Sequence, residues 1–299
     1  MFTQLFGNYL LNEKIVTKQQ LIEALEVQKL VRVKLGVLAI NAGLMTAAQV
    51  DEVHAEQQRA DKRFGDIAVE KGYLKEKDVE KLLAQQKSGQ LILGQALVDK
   101  GYLTNEKFAE ALNEYKKINS IQDKDFTADQ ARKLHTVIRN FCIFNAFTDS
   151  DNYISYISLL FKNIIRFIGD DFIPLAPEVT NTLEVSTLAS QEINGAFSSY
   201  TAIEGDDISI TEFASRYANE KLTENDEFSQ ASVSEFLNLH NGLFTVNMSN
   251  EQQTELTLAP QEITQNAKIS APEGIFVMPI CFPFGTISIV LSSTKPTKE

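Results

Sequence analysis

Apolar residues return with one rhythm through the first third of the chain. A bulky residue and a glycine open each cycle: Phe6-Gly7, Leu35-Gly36, Phe64-Gly65 and Leu93-Gly94. Short apolar clusters follow: Tyr9, Leu10 and Leu11, then Leu38, Ala39 and Ile40, then Ile67, Ala68 and Val69, then Ala96, Leu97 and Val98. Units that start at residues 5, 34, 63 and 92 have a period of 29 with no slippage. A glycine stops the first helix in three of them, at Gly43, Gly72 and Gly101, because glycine accepts the left-handed backbone that ends helices. The first unit has Lys14 there, which predicts a less favourable turn. A second helix then starts behind a hydroxyl cap at Thr17, Thr46 or Thr104, and Thr17 with Gln20, like Thr46 with Gln49, has capping-box spacing. Its apolar residues lie four apart, as Leu21 and Leu25 or Phe108 and Leu112 do, which gives one buried stripe per helix. Two short helices cannot bury such a face alone, so neighbouring units must stack or clasp. An all-α helical-repeat half of four units is expected over residues 1–117.

The pattern changes after that. Thr127 to Gln130 has capping-box form and precedes an amphipathic segment with Leu134, Val137, Ile138 and Phe141, read as a helical connector over 118–148. His135 has no partner nearby in sequence and reads as a packing or surface residue. Tyr153–Ile168 is a strongly apolar helix candidate, closed by Gly169. Strands are expected around Thr182–Val185 and Gly195–Ile203, helices over Ile210–Leu222 and Phe228–Val246, and strands at Glu255–Leu258, Ile275–Phe282 and Thr286–Leu291. The last two join through Pro283-Phe284-Gly285, a hairpin signal. Helices with a late antiparallel run predict an α/β layered domain over 149–299.

Charge separates the same two halves. Residues 1–118 carry 17 Lys and Arg against 16 Asp and Glu, and residues 119–299 carry 11 against 24. An acidic second half argues against nucleic acid as a partner, because phosphate tracking needs cations. Cys142 and Cys281 sit in apolar surroundings, without zinc or redox spacing, and read as buried thiols. No metal site is expected. The N-terminal stretch has no basic region or small-residue cleavage site, so no signal peptide is expected. The most apolar stretch, Gly274–Leu291, is interrupted by Pro279, Pro283 and Gly285, which suits a buried strand pair and not a membrane span. A cytoplasmic protein is the default expectation.

The repeated unit resembles the tandem 24-residue motif of MshEN domains, found at the N-terminus of type II secretion and pilus ATPases. The likeness covers residues 5–115 and implies two such domains in series, with copies one and two paired, then three and four. In that family two copies bind cyclic di-GMP through an opening Arg and a closing Gln. The opening position here is Leu5, Lys34, Arg63 and Ile92, and the closing one is Gln28, Gln57, Gln86 and Tyr115. Only copies two and three keep both a cation and a Gln. The resemblance therefore implies cyclic di-GMP contacts from Lys34, Gly36 and Gln57 with Arg63, Gly65 and Gln86. An Arg can fork onto guanine or phosphate, and Gly admits a ligand to the backbone. The alternative is a motif kept as scaffold alone. No Gly-x-x-x-x-Gly-Lys loop follows, which excludes a secretion motor.

The candidate chemistry lies in SVSEFLNLHNG, residues 232–242. Glu235 and Asn238 are three apart and share a helix face, and Asn241 is expected to extend it. Val233, Phe236 and Leu239 belong to another face, toward the core. An exposed carboxylate beside an exposed carboxamide suits a surface that docks onto a partner. His240 is off that face, so a nucleophile-and-base triad is not expected. By itself Glu-x-x-Asn occurs on any solvated helix. In context, EFLNLHNG followed by FTVNMS, LTLAPQEI and two apolar strands resembles the CheX/CheC chemotaxis phosphatases, over roughly 149–299. The resemblance implies Glu235 and Asn238 as the catalytic pair: Glu235 engages a Lys of a phosphorylated CheY-like response regulator, and Asn238 positions the attacking water. It also implies Mg2+ carried by the regulator, no intrinsic cofactor, and a homodimer through this domain. Glu212 is followed at the matching spacing by Ser215, so one such helix is expected, as in CheX. Ala231 stands where the family often has Asp or Ser. The expected function is a response-regulator aspartyl-phosphate phosphatase with a cyclic di-GMP-sensing or docking module. The alternative is a non-enzymatic cyclic di-GMP effector or signalling scaffold.

Overall fold

In a computed structural model, which describes residues 2–28, 30–60, 62–84, 89–119, 137–139, 141–142 and 150–298, four positions 29 residues apart hold left-handed backbone. They are Lys14 (φ 56°), Gly43 (67°), Gly72 (74°) and Gly101 (72°). Each sits between two helices. The chain divides into two compact units, Phe2–Lys133 and Leu134–Glu299.

The first unit has helices α1 (Phe2–Asn12), α2 (Lys18–Gln28), α3 (Leu35–Asn41), α4 (Ala47–Gln57), α5 (Phe64–Glu70), α6 (Glu76–Ala84), α7 (Gly89–Asp99) and α8 (Asn105–Ile118). Caps start the second helix of each pair. Thr46 accepts from the Gln49 amide at 3.2 Å while Gln49 Oε1 accepts from the Thr46 amide at 2.8 Å, and Thr17 with Gln20 repeats that geometry. In the third pair Asp78 accepts instead from the Lys75 amide, at 3.1 Å. The glycines after each opening residue serve packing. A Cβ on Gly36 would come within 2.6 Å of Val50, and one on Gly65 within 3.2 Å of Val79. Gly94 is closed in the same way by Phe108.

The pairing of copies differs from the expected order. α3 packs on α6 and α4 on α5, while α1 and α2 pack on α7. Copy two thus clasps copy three, and copy one clasps copy four. Complementary polar groups select this order. Tyr73 donates to Glu52 at 2.6 Å and Lys71 reaches the same carboxylate at 2.8 Å. Tyr102 donates to Glu23, with Lys100 at 3.8 Å. Both sets are 29 residues apart. Copies one and two lack the Lys-Gly-Tyr triplet, having Glu13-Lys14-Ile15 and Ala42-Gly43-Leu44. Copy three has Lys81 where the acceptor carboxylate would stand, so copy four pairing there would set Lys100 against a like charge. The hydrogen bonds from Lys71 and Tyr73 hold Glu52 below the usual carboxylate range, and those from Tyr102 and Gln19 do the same for Glu23.

The connector helix expected over 131–141 lies mostly outside the described residues, as does His135. Val137 to Arg139 are helical, and Val137, Ile138 and Cys142 are buried. Beyond them come α9 (Ser150–Phe167), β1 (Ile173–Pro174), β2 (Glu178–Gly195), β3 (Ser199–Gly205), α10 (Asp207–Ala218), α11 (Glu227–Gln252), β4 (Leu256–Leu258), β5 (Glu262–Phe282), β6 (Gly285–Ser292) and β7 (Thr297–Lys298). Two strands are longer than their apolar content predicts. β2 runs from Glu178 to Gly195 where only Thr182–Val185 was expected, and β3 occupies the second expected stretch from Ser199 on. β5 begins at Glu262, not Ile275. Its polar first half is held by ladder pairing with β2, from Glu178↔Val277 to Ser190↔Glu262.

The strands run β1-β5-β6-β3-β2-β4, with β7 beside β5. Because β2 also pairs with β5, the four long strands close on one another. All pairings are antiparallel, which makes this an α+β layer and not the expected α/β one. The curled sheet encloses Val185, Leu188, Tyr200, Ala202, Ile269, Ile275, Val277 and Val290. Its other face meets the helices through aromatic contacts: Phe172, beside Phe161 of α9 at 5.7 Å, reaches Phe282 of β5 at 5.6 Å, and Phe213 of α10 reaches Phe282 at 6.4 Å. Among the described residues no helix is long and apolar enough to cross a membrane.

Lys14 is the one non-glycine in the series of left-handed turns. Lys14→Gly is expected to stabilise the protein by about 1 kcal/mol, read as a higher urea midpoint. An unchanged or lower midpoint would show that Lys14 carries no strain.

Candidate functional site

α11 is set by a cap at each end. Asp226 accepts from the Ser229 amide at 2.9 Å, and Gln253 closes the helix in the left-handed region at φ 55°. Between them Val233, Phe236, Leu237, Phe244 and Met248 are buried. The opposite face carries Phe228, Ala231, Glu235, Leu243 and Val246, all exposed. Phe236 fixes the rotation of the helix by standing edge-on to Phe213 and to Tyr217, the latter at 5.6 Å.

Glu235 projects to solvent and Asn238, one turn on, is half-buried. The two share a face as expected, but Asn238 is less exposed than predicted. Asn241 departs from that face and is fully buried. Three-residue steps fall about 60° short of a full helical turn, so two of them carry Asn241 round to the sheet. The phenol of Tyr217 is raised by burial and by the Glu235 carboxylate nearby. Glu212, on α10, lies 3.9 Å from Arg216, and Ser215 donates to the Thr211 carbonyl.

Beneath Asn238 lies a polar network absent from the sequence reading. Gln191 of β2 donates through Nε2 to Asn238 Oδ1 and to the Ala259 carbonyl, both at 2.9 Å. Asn241 Nδ2 donates to Gln191 Oε1 and to Thr201 Oγ1, also at 2.9 Å. Tyr156 of α9 donates to Asn241 Oδ1 at 2.8 Å, and Thr201 donates to the Gln191 carbonyl at 2.9 Å. Gln191, Thr201, Tyr156 and Asn241 are all buried. The one signal for them was a Gln and a Thr at strand positions where alternation calls for apolar residues.

His240 is also fully buried, with Nδ1 3.0 Å from Asn163 Nδ2 and its ring edge-on to Tyr156 at 4.4 Å. Asparagine can only donate there, so Nδ1 accepts and the proton sits on Nε2, which has no partner. Burial pushes the imidazole down to about 3. His240 is therefore neutral and takes no part in the Glu235 face. Among the described residues no group of three or more His, Cys, Asp or Glu is placed to hold a metal ion.

In the first unit, Lys34 and Gln57 line a cleft of about 530 Å³ with His54, Gln95, Asp99 and Asn105. Lys34 pairs with Asp99 at 2.6 Å, and its amide donates to Gln95 Oε1 at 3.0 Å. Burial, then the nearby Lys34 charge, lowers the His54 imidazole. Arg63 is exposed at the start of α5. Arg63, Gly36 and Gly65 are not among the residues lining the cleft. Gln86 lies outside the described residues.

No family model and no curated protein matches the chain. Solved structures similar to it are CheX- and CheC-like chemotaxis proteins, over about half of its length. The chemotaxis protein CheX from Desulfovibrio desulfuricans is 14% identical with a TM-score of 0.41, across 48% of this chain and 98% of that one. A CheC-like superfamily protein from Shewanella sp. PV-4 is 18% identical with a TM-score of 0.41, across 47% and 96%. A CheX–CheY–BeF3–Mg2+ complex from Borrelia burgdorferi is 13% identical with a TM-score of 0.38, across 46% and 92%.

The burial of His240 has a pH consequence. The unfolded chain binds its proton below about pH 6.5, and the folded chain does not until about pH 3. Stability is therefore full above 6.5 and falls as pH drops below it, by about 1.4 kcal/mol per unit. From pH 7 to 5 this group should cost about 2 kcal/mol in urea titrations, and His240→Gln should flatten the slope by one proton. An equal slope in that variant would mean that His240 is not buried neutral.

Proposed function

We propose that the α11 face is the working surface of an aspartyl-phosphate phosphatase that acts on a phosphorylated receiver domain. The observation that carries this reading is the Glu235–Asn238 pair: an exposed carboxylate one turn from a carboxamide anchored from below through its oxygen. No activated nucleophile accompanies the pair, since His240 is buried away from it. Such a pair can orient and position, and an acyl phosphate needs little more. Water oxygen bonds to phosphorus, the bond from phosphorus to the aspartyl oxygen breaks, and its electron pair leaves on the regenerated carboxylate. Both water protons remain on the released dihydrogen phosphate. Glu235 pairs with a cation of the receiver and Asn238 holds the water in line. The Mg2+ of the reaction is assigned to the receiver. Exposed Phe228, Leu243 and Val246 extend the same face and supply apolar area for docking.

Glu235→Ala and Asn238→Ala are each expected to slow phosphate release from phosphorylated receiver domains by about a hundredfold, with melting temperature little changed. Wild-type rates in either variant would remove the assignment. A protein that binds phosphorylated receivers without hydrolysis would instead be the scaffold of the second reading.

A sensory role for the first unit is proposed on the cleft that Lys34 and Gln57 share. A cyclic dinucleotide there would have to take Lys34 from Asp99, since one ammonium cannot serve both anions fully. Calorimetric titration of the full chain with cyclic di-GMP should release heat that Lys34→Ala abolishes. A flat trace for the wild type would leave the repeats as scaffold.

A further inference from the structure

The orientation of the Asn238 carboxamide follows from a fixed point in the backbone. The Ala259 carbonyl only accepts, so the Gln191 atom 2.9 Å from it must be Nε2. Gln191 Oε1 then faces Asn241 Nδ2, and Asn241 Oδ1 faces the Tyr156 hydroxyl. The remaining Nε2 hydrogen of Gln191 reaches Asn238 Oδ1. Reversing any one amide would set donor against donor or acceptor against acceptor. Asn238 therefore turns its oxygen inward to Gln191, which leaves the NH2 group as the end of this half-buried carboxamide not engaged by Gln191.

We infer that Gln191 is a positioning residue for this site, holding the Asn238 carboxamide so that its N–H groups, and not its oxygen, face the reacting phosphoryl group and water. The inference rests on the phosphatase reading of the Glu235–Asn238 face. An N–H donor fixes the water oxygen through one lone pair and leaves the other directed at phosphorus. The acceptor orientation would instead compete for the water's own hydrogens. Gln191 touches neither water nor phosphate; it acts through Asn238.

The test uses the full chain and phosphorylated receiver domains. Gln191→Glu is isosteric and keeps the acceptor for Asn241, but its carboxylate has no hydrogen for Asn238 Oδ1 or for the Ala259 carbonyl. The carboxamide then reverses to donate inward. Phosphate release should fall at least about tenfold in kcat, with KM for the receiver within about twofold of wild type. Lowering the pH should restore part of the loss relative to wild type, because a protonated carboxyl donates again. Gln191→Leu should lose kcat without that recovery; if it fails to fold, the glutamate variant decides. In the wild type, through-hydrogen-bond NMR coupling should link Gln191 Nε2 to the Asn238 carboxamide carbon. Wild-type kcat in folded Gln191→Glu, or absence of that coupling, overturns the positioning role alone. No phosphate release by the wild-type protein overturns the reading of the site, and the catalytic role of Gln191 with it.

Discussion

A carboxamide sealed under a helix must find partners for all of its hydrogens and lone pairs, and this demand governs the second unit. Asn241 is buried between α11 and the sheet, and leaving it unpaired would cost on the order of 1–3 kcal/mol. Gln191, Thr201 and Tyr156 satisfy it from three different elements. The satisfied network leaves α11 one azimuth on the sheet, since a rotation would break several bonds together. Phe236 against Phe213 agrees with that azimuth from the apolar side. Glu235 is exposed because the faces of α11 that carry Phe236 and Asn241 are turned to the core. The outward site is thus a product of inward bonding.

The first unit is organised by a different constraint. Its helices are short and its copies alike, so apolar packing alone does not say which copy should meet which. Charge makes the choice. The Lys-Gly-Tyr triplets of copies three and four find acceptor carboxylates on copies two and one, while Lys81 repels the alternative. These pairs are solvated, and exposed ion pairs contribute little stability. They distinguish between copies that share one apolar pattern.

How much of this could be read from the chain depends on the range of the interaction concerned. The caps at Thr17 and Thr46 and the left-handed turns at Gly43, Gly72 and Gly101 are local, and each stands in the structure where its residues foretold. Glu235 with Asn238 is also a local matter of helical phase. Asn241 was misread because a step of three was treated as a return to the same face, although the drift accumulates. The first half of β5 escaped notice because its signal is not periodic apolarity. It exists through ladder bonds to β2, whose residues lie some eighty positions earlier. The order of clasping was hidden for the same reason, since Tyr73 and Glu52 are separated by 21 residues and Tyr102 and Glu23 by 79. Gln191 is the extreme case. Its significance lies wholly in partners on α11 and at Ala259, 47 to 68 residues away.

The inner side of α11 ties the helix to α9 as well as to the sheet. His240 and Asn241 are neighbours in sequence and both face inward, and both meet residues of α9: Asn163 for the first and Tyr156 for the second. The imidazole is kept neutral by burial, and a proton added there would place a charge on the seam between α9 and α11. Tyr156, on the same seam, donates to Asn241, and Asn241 is one of the partners that hold Gln191. Hydrogen bonds run from Tyr156 through Asn241 and Gln191 to the Asn238 carboxamide, while His240 meets Tyr156 only ring to ring. The helix that presents Glu235 and Asn238 thus rests on a buried face that carries polar groups but no charge.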